Sequence, residues 1–510
     1  MVGSDEVFQL IKALVPSEKR YFRLFISRNT LGDDVNYLLL FDEIDKLEEY
    51  DEERLKKSLL RKKVSKSLIK FLAAEKKALH SMIMRVMRNY HAEKTVDVQL
   101  HELLMDEQYY HGKSLYELQA KTLYKAKKLA EQYEKYPVLL TLLQREAKML
   151  IERKTKDYDE VRSRVHSEER ELLKKILNES ELRLIKDDIF MYTRAGANIR
   201  DAAFQQLIDQ KAATLLAKTE TDALSFKARK HYNSAMRSYY RLKSDMKKSW
   251  EHSRRIVELF EQNPDIMDEY SSEYKIALAN YLGACHVTHR YDEFETTLKK
   301  MKNTPVKSLD EEGEVFQDAT LYEILYYLNT GKYAEGIKAL PEIEKGMQRY
   351  ADKLNKSSEL AIYYNICLLY FIVEDWKGAQ HWVSKIIEDK SDSRKDLQHF
   401  ARILQLIFYY ETGKGDAMEY YTRSVYRYLE KEENLLAFER IIITYLKKLP
   451  FALNEKELLK SFITLKEEIV RLKNTPGERN KVGMEEMTIW LKAKIDRKKI
   501  RDVFNENNKN

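Results

Sequence analysis

The chain has 510 residues, with 90 Lys+Arg against 83 Asp+Glu, and carries 14 Gly and 7 Pro. These two turn formers make up about 4% of the chain where about 12% is usual, too few for the many tight loops of a large α/β enzyme. A charged fraction of 34% with 44% hydrophobic residues suits long amphipathic helices and excludes a disordered chain, while +7 over this length selects no polyanionic partner.

Residues 1–95 read as an N-terminal helical module. Met1 to Arg20 place acids before the first apolar positions and contain no apolar core of signal-peptide length. Two short helices are expected within 5–28, separated near Pro16, with Ser17 as a helix start. Neither carries the basic recognition face of a DNA-reading helix-turn-helix. A helix near 35–50 and a long one near 64–92 follow. Asp42 to Glu53 holds eight acids and one Lys, and Lys56 to Lys70 holds seven Lys/Arg and no acid. Two helices that neutralise one another account for this pairing, each exposed pair contributing less than about 1 kcal/mol.

From 96 to 431 the apolar period is helical throughout, and a unit recurs: apolar helix, short polar turn, amphipathic helix. The positions just after the turns are Leu115, Tyr158, Ala202, Met246, Tyr291, Tyr333, Trp376 and Gly415, at a period of about 43 residues. Such a period marks stacked helical hairpins, each unable to bury its apolar face alone. Beyond 431, helices near 433–448, 454–472 and 484–502 form a C-terminal cap over 432–503, broken at Pro450 and Pro476-Gly477, and 504–510 reads as a disordered tail.

Gly331-Lys-Tyr333, and Trp376 with Ala379 three later, resemble the G-x-Y-x-x-A turn and second-helix start of tetratricopeptide repeats, and Asn365 falls where many such repeats carry Asn on the first helix. The period exceeds the usual 34, and most small-residue packing positions hold Leu, Ile or Phe. The segment Arg423 to Leu429 is also similar to uncharacterised bacterial helical-repeat proteins, a kinship that implies no activity. The expected fold is all-α: a TPR-like α-solenoid of about eight hairpins between the N-terminal module and the C-terminal cap.

No phosphate-binding loop, dinucleotide fingerprint, zinc-protease motif, C-x-x-C, EF-hand or nucleophile elbow occurs. The chain is therefore expected to be non-catalytic and to take no cofactor. Cys285-His286-Val-Thr-His289 could bring Cys285 and His289 onto one helix face, but a closed zinc site needs four ligands, and the cluster reads as a packed helix end without metal. Cys285 and Cys367 cannot form a disulfide framework, and the longest apolar run, Ile366 to Val373, is too short to span a bilayer, so a cytoplasmic protein is expected.

Ten Lys/Arg lie between Phe226 and Arg255. On one continuous helix Lys230, Arg237, Arg241, Lys248 and Arg255 would line a face that tracks phosphates, a nucleic-acid reading. The repeat period instead sets a turn at Lys243-Ser-Asp245, which folds that rail in half and makes Tyr232, Tyr239 and Trp250 packing residues. Many of the 34 tyrosines stand in adjacent pairs, so that one ring packs inward while the other faces a groove. The role expected is a scaffold or adaptor holding a protein or peptide in the concave groove. The resemblance implies Arg194, Ser238, Arg241 and Asn365 as contacts, with Arg402 nearby, recognising acidic or carboxylate groups. The alternatives are nucleic-acid association through 226–255, and a peptide-sensing regulator whose N-terminal module is the effector.

Overall fold

The computed structural model describes residues 5–29, 35–62, 69–91, 95–153, 158–194, 202–306, 309–431, 437–448, 454–473 and 481–508. Among them are 25 α-helices, one 3-10 turn and no strand. No helix of the described residues is long and apolar enough to cross a membrane. Contact density divides the chain into two units, Met1–Leu173 and Lys174–Asn510.

The first unit contains α1 (Glu6–Ala13), α2 (Pro16–Asn29), α3 (Val35–Asp45), α4 (Glu52–Arg61), α5 (Leu72–His91), α6 (Val96–Gly112), α7 (Tyr116–Gln132), α8 (Tyr136–Arg153) and the start of α9 (Tyr158–Arg194). Helices α1 to α5 share a core that includes Ile11, Phe22, Phe41, Leu55 and Ile83, with the Phe22 and Phe41 rings stacked at 4.6 Å. The single helix expected over 35–50 is shorter than its pattern, because Asp51 caps a separate helix by accepting from the Arg54 amide at 3.0 Å. The acidic and basic blocks do meet. Glu43 bonds Lys46 at 2.7 Å and Lys62 at 2.9 Å and accepts from Ser58, although its acid neighbours also use Lys19, Arg23 and Lys76. Burial opposes ionisation of Glu43, but these bonds outweigh it and hold its carboxyl down at about 2.

In the second unit come α10 (Ala202–Leu216), α11 (Phe226–Leu242), α12 (Met246–Glu261), α13 (Pro264–Glu269), α14 (Ser271–Val287), α15 (Tyr291–Lys302), α16 (Leu309–Thr330), α17 (Tyr333–Arg349), α18 (Lys356–Ile372), α19 (Trp376–Glu388), α20 (Lys395–Glu411) and α21 (Gly415–Lys431). The chain ends with α22 (Ala437–Lys448), α23 (Glu455–Lys473), α24 (Met484–Asp496) and α25 (Ile500–Asn508). Five hairpins at the expected period occupy 226–431: α11–α12, α14–α15, α16–α17, α18–α19 and α20–α21. Each packs on the next, with α12 against α14, α15 against α16, α16 against α18 and α19 against α20.

Their turns share one geometry. Ser244, His289, Gly331, Glu374 and Gly413 have φ between 56° and 74°, and the following amide bonds back to the carbonyl five residues earlier. Asp245 N reaches Tyr240 O at 2.9 Å, Arg290 N reaches Cys285 O at 2.9 Å, and Lys414 N reaches Tyr409 O at 2.9 Å. This left-handed cap closes the first helix and aims the chain into the second. Asp245 and Asp375 then cap the second helices, accepting from the amides of Lys248 and Gly378. Only two of the five cap residues are glycine, so the other three bear the Cβ penalty of that conformation. Ser244→Gly is expected to raise stability by about 0.5–1 kcal/mol and Gly413→Ala to lower it by about 1 kcal/mol. No atom lies within 4 Å of a Cβ built on Gly413, so its loss would be backbone strain alone. Thermal melts of the two variants check both signs.

Seven of the eight expected post-turn positions are the first residue of a helix, and Leu115 is an N-cap. The segments preceding Tyr158 and Ala202 lie outside the described residues. Between 116 and 216 the division departs from the period. An additional left-handed turn at Glu134 separates α7 from α8, and α9 runs for 37 residues without a turn. Its sequence contains no Gly or Pro and is rich in Glu, Leu, Lys and Arg, all strong helix formers, so nothing local ends it. In the tyrosine pairs one ring is buried and the other half-buried at Tyr239-Tyr240, Tyr326-Tyr327 and Tyr409-Tyr410.

The C-terminal helices do more than follow the last hairpin. Residues 484–503 belong to the same apolar core as 324–446. Tyr333 donates to Asn505 at 2.6 Å, Tyr364 to Glu486 at 2.8 Å, and the Ile500 amide to Glu374 at 3.2 Å. Residues 504–508, expected in a disordered tail, are helical because Phe504 and Asn505 both pack on Tyr333; 509–510 lie outside the described residues.

Candidate binding pocket

A pocket of about 310 Å³ opens between α9, α11 and α14. The N-cap Ser225 sets the start of α11 by accepting from the Ala228 amide at 3.0 Å. From there the 3.6-residue repeat turns Ala228, Tyr232, Ala235, Tyr239 and Leu242 into the core and leaves Lys230, Ser234, Arg237 and Arg241 off it. Phe190 of α9 and Ile276 of α14, 44% and 61% exposed, form apolar flanks, and Ile256 and Phe260 of α12 form the floor.

Of the three cations that line this pocket, Lys186, Lys230 and Arg237, only Arg237 is without an ion pair among the described residues. Lys230 pairs with Glu273, and Lys186 with Asp187 at 3.0 Å. Arg237 has no ion pair or side-chain hydrogen bond among the described residues. Burial, and then the neighbouring Arg241 charge, push its guanidinium down to about 10. Arg241 is exposed and also carries no described ion pair. His231, on the adjoining face of α11, is pushed down to about 3 by burial and then by Lys230 and Lys186, so it is neutral at physiological pH; its Nδ1 has no partner. The pocket therefore presents a half-buried cation without a described ion pair, small hydroxyls and two apolar walls. That set can take a carboxylate by paired charge-assisted hydrogen bonds beside apolar side chains.

The expected contact residues do not converge on one place. Ser238 lines this pocket and is 5% exposed, and the exposed Arg241, one helical turn beyond Arg237 on α11, is not part of its lining. Arg194 ends α9, and its side chain lies outside the described residues. Asn365 donates to Ala361 O at 2.7 Å and lines a different pocket, beside Gly483 and Glu486. Arg402 donates to Gln398 O at 2.8 Å and Ile387 O at 3.3 Å, and its guanidinium lies 3.7 Å from the Tyr428 ring centre, a structural post. Phe190, Glu273 and Ile276 were not singled out by the sequence. Arg237 appeared there only on the nucleic-acid face, yet its isolation is legible: Asn233, Ser234, Tyr240 and Arg241, its helix neighbours, offer no acid.

The basic rail is folded at Ser244 as the period requires. Lys243 pairs with Asp209 at 2.9 Å and Arg254 with Glu258 at 2.7 Å, while Lys248 and Arg255 have acids at 3.7 Å and 3.9 Å. Tyr232, Tyr239 and Trp250 are buried. In the other cluster, His289 is the left-handed cap residue of its turn, and burial pushes the Cys285 thiol up to about 11. No group of three or more His, Cys, Asp or Glu among the described residues is placed to hold a metal ion. No protein-family model, curated protein or solved structure matches this chain.

Proposed function

We propose that the chain is a non-catalytic binding protein in which a TPR-like stack of hairpins over 226–431 presents the first helices as a groove for an acidic peptide segment of a partner. Arg237 is the anchor of this reading and Arg241 its auxiliary one helical turn beyond. The observation that carries it is the half-buried Arg237 guanidinium, without an ion pair among the described residues in a pocket whose other lining cations each have a carboxylate. A partner carboxylate supplies the missing counter-ion, and the apolar walls of Phe190 and Ile276 suit a hydrophobic residue next to it.

A short-peptide library displayed against the full chain tests this. Selected peptides are expected to combine Asp or Glu with apolar residues. Their affinity should fall by about 10-fold or more in the Arg237→Ala/Arg241→Ala double variant, the loss of one charge-assisted bidentate contact. A selected pool without acidic bias, or unchanged affinity in the double variant, overturns the assignment. A nuclease-sensitive, steeply salt-dependent capture of oligonucleotide by the same residues would replace it with the nucleic-acid reading.

A further inference from the structure

In the second unit, cations reach carboxylates on the next hairpin: Lys230 to Glu273, Lys275 to Glu311 at 2.9 Å and Lys302 to Glu323 at 2.6 Å. A pocket of about 790 Å³ lies between α21, α22 and α23, and four cations line it: Arg423 and Arg427, one helical turn apart on α21, Lys447 on α22 and Lys460 on α23. Glu457 is the one acid in its lining. Arg427, Lys447 and Lys460 have no ion pair or side-chain hydrogen bond among the described residues. Three helices thus present exposed cations to a shared cavity, a local positive potential that favours an anion there.

We propose that this pocket binds a small phosphate ester. Its volume lies in the range of small-molecule sites, roughly 300–1,000 Å³, and is far larger than a single monatomic anion requires. Arg427 offers a planar donor fork for phosphate oxygens, and Lys447 and Lys460 are point charges from the other two helices. Tyr426, between the arginines on α21, and Ile443, on α22, supply an apolar surface for the carbon part of the ester. The site lies on other helices than the Arg237 pocket and does not depend on the peptide-binding reading.

Calorimetric titration of the full chain with ATP, with pyrophosphate and with citrate, at about 50 mM salt, tests the assignment. ATP and pyrophosphate are expected to bind with dissociation constants below about 1 mM, and citrate at least 10-fold more weakly. The Arg427→Glu/Lys460→Glu variant should lose at least 10-fold in affinity for both phosphates at an unchanged helical circular-dichroism signal. Should it fail to fold, the milder Lys447→Gln/Lys460→Gln variant is read instead, with a loss of about 3-fold or more expected. ATP binding more tightly than pyrophosphate, with the excess lost in Tyr426→Ala, would identify a nucleotide; equal affinities would identify the phosphate groups alone as the recognised part. Absence of phosphate binding up to about 5 mM, citrate binding as tightly as pyrophosphate, or full affinity in the charge-reversed variant overturns the proposal.

Discussion

Replacing Arg237 with methionine should raise the melting temperature of the protein while abolishing the proposed binding of acidic peptides. In the folded chain this guanidinium is half-buried with no counter-ion among the described residues, and burial and Arg241 lower its proton affinity to about 10 from an ordinary 12.5. Because the folded value is the lower one, the penalty is fully present below about pH 10 and fades only as the pH rises toward the unfolded value. At any physiological pH the fold therefore carries the whole of it. Methionine keeps most of the aliphatic stem and its packing but removes the charge, and exchanging a desolvated charge for an apolar group of similar volume stabilises by about 1–2 kcal/mol. For a unit of this size that amounts to a few degrees, at roughly 2–4 °C per kcal/mol. Arg241→Met, on an exposed residue, should stay within about 0.5 kcal/mol of the parent and serves as the control. A drop in melting temperature for Arg237→Met would mean that the guanidinium already has stabilising partners, and the binding argument would lose its foundation. Stability given up at one residue for the sake of a ligand is a common compromise at functional sites.

Trp490→Ala should produce the largest loss of stability of any single substitution considered, about 3–5 kcal/mol. The side chain is fully buried, its ring meets Phe462 edge-on at 5.5 Å and Tyr410 at 6.0 Å, and its Nε1 donates to Glu411 at 2.7 Å. Lys494 reaches the same carboxylate at 2.6 Å, so alanine leaves Glu411 with one of its two donors and a large void beside it. Trp490→Phe, which keeps an aromatic ring but not the hydrogen bond, should cost only about 1–3 kcal/mol. Removal of residues 481–510 should go further. It uncovers Phe400, whose ring Gly483 approaches so closely that a Cβ there would lie 2.0 Å from it, and it takes the partners from Tyr333 and Tyr364. Urea unfolding followed by circular dichroism is expected to show a lower midpoint for Trp490→Ala and no cooperative transition for the truncated chain. A truncated chain that melts like the parent would make α24 and α25 an appendage rather than part of the core.

The hairpins were legible because their information is local. An apolar stripe at helical spacing, an Asp or Asn cap and a short polar turn all lie within about 20 residues of one another, and their recurrence fixed the starts of helices at Met246, Tyr291, Tyr333, Trp376 and Gly415. Where the local signal is weak, the reading was less complete. The 37-residue α9 lacks the breaker that a regular repeat would need, and Glu134 makes a left-handed turn that its residue type does not announce. For the candidate site, the residue types were visible but not their company: Arg237 is defined by which carboxylates fail to reach it, and that depends on Glu273 choosing Lys230 from a helix 43 positions away.

The sequence by itself determined the all-helical class, the turn positions of the 226–431 hairpins, the folding of the basic 226–255 segment at Lys243-Ser-Asp245 and the burial of Tyr232, Tyr239 and Trp250 within it. Each follows from periodicity and from which residues tolerate a cap or a turn. Tertiary structure alone decided that α24 and α25 return to 331–411, that Asn365 and Arg402 stand apart from Ser238 and Arg241, and that Arg237 is left without a counter-ion among the described residues. The contact between Tyr333 and Asn505 spans 172 residues of sequence. Helical patterning records which face of a segment is apolar but not which distant face will cover it, and a charge is neutral or unspent only with respect to neighbours that packing brings to it.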